Sequence, residues 1–155
     1  MNILFVCTGN ICRSPSAEAL LKHKLAQRGI TSYHIDSAGV AGYHIGNPPD
    51  HRAIISAQEY GVDMSSLQAR KVKTEDFQSF DIIFAMDRGH LATLQDDAPQ
   101  ALHHKIKLFN HEVYGHETDV EDPYYGGQAD FDIMFKKLDH GLDILVGNPI
   151  QKHRP

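Results

Sequence analysis

The first twenty-five residues constrain the fold more than any other part of the chain. Ile3-Leu4-Phe5-Val6 is an unbroken apolar run of strand length, with no polar residue to present to water. Such a strand must be covered on both faces, as strands in a parallel sheet are. The run Cys7-Thr8-Gly9-Asn10-Ile11-Cys12-Arg13-Ser14 follows it. Then comes Pro15, with Ala17, Ala19, Leu20, Leu21 and Leu25 recurring at helical spacing. Pro15 reads as the first helical position. Strand, tight polar loop and helix together aim backbone N–H groups and the positive end of a helix dipole at one point, where an anion binds. Gly9 and Asn10 are residue types that tolerate the φ > 0 needed to curl amides inward.

Two side chains give this loop a chemistry. A lone Cys at a strand end is usually a small buried hydrophobe. Cys7 is followed after five residues by Arg13, whose guanidinium can fork two N–H groups onto a tetrahedral oxyanion. Thiols at helix N-termini beside a cation belong to the reactive class. Ser14 is placed either to donate to the sulfur or to cap the helix. Thr8, Gly9, Asn10, Ile11 and Cys12 form the wall of the phosphate cradle. A thiolate that takes a phosphoryl group needs an acid for the leaving oxygen and later a base for water. Asp122 is the best candidate, held before Pro123 in an extended, projecting conformation. Tyr124 and Tyr125 would wall the cleft for an aromatic ring. The plainer reading is that Asp-Pro merely starts a turn.

The remaining chain alternates strands and helices. Strands are expected at 33–39, 80–86 and 105–109. Helices are expected from Asp50 to Gly61, from an Asp87 cap to about Leu94, and from Gln128 onward. The stripe Phe131, Phe135, Leu138, Leu142 and Leu145 marks the last helix as core-facing. Residues 65–76 are polar and basic, with room for short helical turns. Residues 110–127 read as one long loop, a length that often carries function. The result is an open parallel α/β sheet of four strands with the first strand central, and a ligand site at the strands' carboxyl ends. At 155 residues, 1–155 is expected to form one domain.

The charge of −5, without a basic run, argues against nucleic acid as a partner. No apolar stretch approaches a membrane span, and no secretory leader precedes the first strand, so a cytoplasmic location is expected. Both cysteines lie in the one loop, which excludes a disulfide scaffold. No metal site is expected, because His103, His104, His111 and His116 lack ligand spacing and read as surface residues. No cofactor is required.

The run Val6-Cys7-Thr8-Gly9-Asn10-Ile11-Cys12-Arg13-Ser14-Pro15 resembles the signature of the low-molecular-weight protein tyrosine phosphatases, and Glu121-Asp122-Pro123-Tyr124-Tyr125-Gly126 resembles their acid loop. The resemblance implies a metal-independent cysteine phosphatase on a flavodoxin-like sheet of order 2-1-3-4, helices on both faces. It acts on phosphotyrosine and small aryl phosphates, acid phosphatase activity included. Asp36-Ser37-Ala38-Gly39 is similar to the segment whose serine, here Ser37, holds Asn10. By the same resemblance 42–50 is the variable loop, with Tyr43 and His44 lining the cleft. Val40 and His90 depart from the residues common in relatives and are expected to affect only rim contacts. A tyrosine kinase is a candidate protein substrate, and the chain is expected as a monomer or weak homodimer. Cys12 would either trap an oxidised Cys7 as a disulfide or simply pack; in some relatives the tyrosines of the acid loop are phosphorylated.

Three other classes share parts of this pattern. Arsenate reductases on this fold need further cysteines downstream, and none follows Cys12. Protein arginine phosphatases resemble the chain but carry Thr at the position of Ile11, whose apolar contact suits a tyrosine ring. A non-catalytic oxyanion-binding module would not need Cys7 and Asp122 together.

Overall fold

The computed structural model describes residues 1–147; the expected domain limit at 155 therefore runs into 148–155, outside the described residues. Four parallel strands, β1 (Asn2–Cys7), β2 (His34–Gly39), β3 (Ile82–Ala85) and β4 (Ile106–Leu108), form a sheet in the order β2-β1-β3-β4. β1 is unbroken apolar because both its faces are covered. Ile3, Phe5 and Cys7 point into the larger core with helices α1 (Arg13–Gln27) and α6 (Gln128–Gly147). Leu4 and Val6 point into a second core with Phe77, Phe80 and Leu94. Phe5, Phe84 and Phe109 pack ring against ring at the centre of the first. The five apolar residues of the α6 stripe are fully buried. Burial of side chains of this size is worth about 1.5–3 kcal/mol each.

α2 (His51–Gln58) and α5 (Phe109–Tyr114) lie on the α1 and α6 side; α3 (Asp76–Ser79) and α4 (Arg88–Asp97) cover the other face. A 3-10 turn over Gln100–Lys105 leads into β4. Asp50 caps α2 by accepting from the Arg52 N–H, and Asp87 caps α4 by accepting from His90.

Three boundaries differ from the sequence expectation. α1 begins at Arg13, so Pro15 is its third residue. A missing N–H costs nothing there, because first-turn N–H groups have no acceptor within the helix. The long loop after β4 is shorter than expected, since 109–114 is helical. Phe109 and Val113, one turn apart, both reach the core, and Gly115 at φ 75° ends the turn. Within 65–76 the chain runs extended at Lys71, which bridges Gly39. The one short helix nearby, α3, starts only at Asp76.

β1 pairs with β2 on one side and β3 on the other, so the direction of winding reverses at β1. Crevices at such reversals, at the carboxyl ends of strands, are where α/β sheets bind ligands.

Candidate active site

Cys7 ends β1 at that reversal and is nearly fully buried. Its sulfur lies 2.9 Å from the Ser14 hydroxyl. Ser14 is the second residue of α1, so it does not cap the helix; its hydroxyl turns back into the loop. The cap position falls to Cys12, which makes no side-chain cap bond. Burial pushes the Cys12 thiol well up, and it packs into the larger core.

Asn10 is where the loop's curvature is concentrated. It has φ 59°, the only left-handed non-glycine conformation among the described residues. Its side chain is used at both ends. The amide donates to Ser14 (2.9 Å) and Ser37 (2.8 Å), and the carbonyl accepts from the Arg70 backbone N–H (3.0 Å). Ser37 in turn donates to the buried Glu18 of α1. The contact between Asn10 and Ser37 is the one the family resemblance implies. Gly9 has no positive φ. It is glycine because a Cβ there would sit 2.8 Å from the His44 ring, which folds over the loop.

Arg13 is almost completely buried. Nη1 donates to Asp87 and to the Val120 carbonyl, each at 2.9 Å; Nη2 donates to the Thr8 hydroxyl at 3.4 Å. The Asp122 carboxylate stands 3.7 Å from Nη2. Asp122 also accepts from the Tyr124 N–H, which folds the acid loop into an Asx turn. Cys7, Arg13 and Asp122, separated by up to 115 residues in sequence, line one cleft of about 350 Å³. Thr8, Gly9, Ile11 and Cys12 complete its floor, and Tyr43, His44, Tyr124 and Tyr125 its walls. Asn10, Ser14 and Ser37 stand behind the floor as its scaffold. Tyr43 and Tyr125 are 78% and 92% exposed, so the outer walls stand open to a large partner.

Several participants escaped the sequence reading. Asp87 was read only as a helix cap; it also holds Arg13. Arg52 clamps the acid loop, donating to the carbonyls of Tyr124 (3.0 Å) and Gly126 (2.9 Å) while lying over the Phe131 ring. The same guanidinium holds the Asp50 carboxyl below its usual range. Arg70 is fixed by Asp36 and the buried Asp76. His90 and Val40 are not rim residues. His90 is 4% exposed beneath the loop and bonds Thr8; Val40 packs on the second core and donates its N–H to the Cys7 carbonyl. Burial pushes the His90 imidazole down to about 4. Among the described residues no cluster of three or more His, Cys, Asp or Glu is arranged to hold a metal, and no helix is long and apolar enough to cross a membrane.

Known proteins share this arrangement over nearly its full extent. The family model described as "Low molecular weight phosphotyrosine protein phosphatase" matches residues 2–154. The human protein of that description is 39% identical over 139 residues, 88% of this chain and 87% of its own. A protein tyrosine phosphatase from Entamoeba histolytica, solved with Hepes in its active site, superposes with a TM-score of 0.92. It is 36% identical and covers 99% of both chains. The arginine phosphatase YwlE, as a mutant in which a phosphorylated serine replaces the active-site cysteine, superposes at 0.87. It is 28% identical, over 94% of this chain and 93% of that one. A match of this extent, on a sheet of the same architecture, makes the chain a member of the low molecular weight phosphotyrosine protein phosphatase family.

Proposed function

We propose that the protein hydrolyses phosphotyrosine in proteins, and small aryl phosphates, through a phosphocysteine on Cys7, with 1–155 working as one domain. The observation that carries this reading is the convergence of Cys7, Arg13 and Asp122 on one cleft walled by Tyr124 and Tyr125. The Cys7 thiolate attacks phosphorus in line, with Ser14 donating to the sulfur. The phosphorus–oxygen bond breaks, and Asp122 as the acid gives its proton to the departing phenolic oxygen. Arg13 and the amides of the loop hold the equatorial oxygens, where charge builds up in the transition state. Water then attacks phosphorus while Asp122 takes its proton; the phosphorus–sulfur bond breaks, inorganic phosphate leaves and the thiolate returns.

Ile11 on the cleft floor supplies an apolar contact for the tyrosine ring, which favours phosphotyrosine over phosphoarginine. The exposed Tyr43 and Tyr125 suit a substrate that is itself a protein, a tyrosine kinase included. Free cysteines fit a reducing compartment such as the cytoplasm.

The test is hydrolysis of para-nitrophenyl phosphate with chelator present. Turnover should persist in the native protein and vanish in Cys7→Ser. It should fall roughly 10²–10⁴-fold in Asp122→Ala, the usual loss for a general acid. Turnover that survives Cys7→Ser would overturn the assignment.

A further inference from the structure

We propose that His90 is a positioning residue that orients Arg13 toward phosphate by fixing the direction of the Thr8 hydroxyl. The proposal rests on the phosphatase reading of the cleft.

The imidazole of His90 has an unusual setting. His90 is buried beneath the loop, with Nε2 2.8 Å from the Thr8 Oγ1. Its Nδ1 is buried and makes no hydrogen bond of good geometry, yet stands 3.2 Å from the Asp87 carboxylate. If Nε2 carried the proton, the Nδ1 lone pair would face that carboxylate at contact distance, which is repulsive. If Nδ1 carries it, the N–H dipole faces the carboxylate and Nε2 becomes an acceptor. The Thr8 hydroxyl has one proton. Donating it to Nε2 leaves the oxygen lone pairs for Arg13 Nη2, 3.4 Å away. Nη1 is held directly by Asp87 and Val120, whereas Nη2 depends on Thr8 and on the more distant Asp122. His90 therefore governs the looser half of the guanidinium. The charged groups facing the ring are Asp87 at the start of α4, Arg13 from α1, and Asp119 and Asp122 from the loop before α6; burial, aided by Arg13, keeps it neutral against the pull of the three carboxylates.

The full-length protein would be studied at pH 7 in two ways. Nitrogen-edited NMR of the His90 ring should find Nδ1 protonated and Nε2 bare. Inorganic phosphate, as competitive inhibitor of para-nitrophenyl phosphate hydrolysis, should bind about tenfold more weakly to Thr8→Val, the effect of losing one hydrogen bond to a charged group. His90→Phe should match it, and the double variant should be no worse than either single one, because the pair acts as a unit. His90→Gln, which keeps an acceptor, should recover most of the affinity. A protonated Nε2, unchanged phosphate inhibition in Thr8→Val, or multiplying effects in the double variant would overturn the proposal. If His90→Phe fails to fold, the near-isosteric Thr8→Val and the NMR of the native protein decide. A native protein without any turnover would instead refute the phosphatase reading, and the tautomer would still be read directly.

Discussion

At the scale of single residues, the loop is a set of close approaches that leave little room for change. Gly39 ends β2 against the loop, and a Cβ there would lie 2.6 Å from the Thr8 carbonyl oxygen and 3.0 Å from that of Ala41. Both obstacles are backbone, so neither can swing aside. Gly39→Ala should lower stability by about 1–3 kcal/mol, the usual cost of overpacking, and displace Thr8. Thermal unfolding and phosphate inhibition would report the two effects together. Asn10 shows why the sequence was informative at this scale. Its residue type announced a left-handed position, and the structure places it at φ 59°. Gly9 next to it was misjudged, because its smallness serves contact with His44, a residue thirty-five positions away.

Among elements, the acid loop depends on a partner that local sequence does not reveal. Arg52, on α2, ties down the carbonyls of Tyr124 and Gly126 and is itself set by Asp50. Arg52→Ala should let the loop wander and blunt proton delivery by Asp122. The loss in kcat should reach about tenfold for phenyl phosphate and be smaller for para-nitrophenyl phosphate, whose more acidic phenol leans less on the proton. Equal losses with both substrates would mean that Arg52 acts elsewhere. α5 is the element that sequence pattern missed. Six residues are too few for periodicity to distinguish a helical turn from a loop with two apolar side chains.

For the whole molecule, burying His90 links stability to pH. Its imidazole titrates near 4 when folded and near 6.5 when unfolded. Above pH 6.5 the ring is neutral in both states and contributes nothing to the difference. Between 6.5 and 4 the unfolded chain binds the extra proton, so stability falls as pH drops, by up to a few kcal/mol, and levels off below 4. His90→Asn should flatten that part of the curve of melting temperature against pH. A curve of unchanged slope would show that other groups, such as the Asp119 carboxylate held low by Arg88, account for the acid sensitivity.

The sequence by itself determined the architecture and the chemistry of the loop. An unbroken apolar strand points to a covered parallel sheet, the five apolar residues Ala17, Ala19, Leu20, Leu21 and Leu25 beyond it to a core helix, and Cys7 with Arg13 to an oxyanion cradle. These readings depend on residues close in the chain, where periodicity and turn chemistry act. Tertiary structure alone decided what supports that cradle: Asp87 on Arg13, Arg70 on Asn10, Glu18 on Ser37, Arg52 on the acid loop and His90 on Thr8. Each pairs groups from different elements, and whether a charged side chain faces water or another buried charge depends on how those elements pack. His90 marks that boundary most clearly: its position in the chain reads as a rim residue, and only the packing of α4 against the loop puts it beneath the floor, bonded to Thr8.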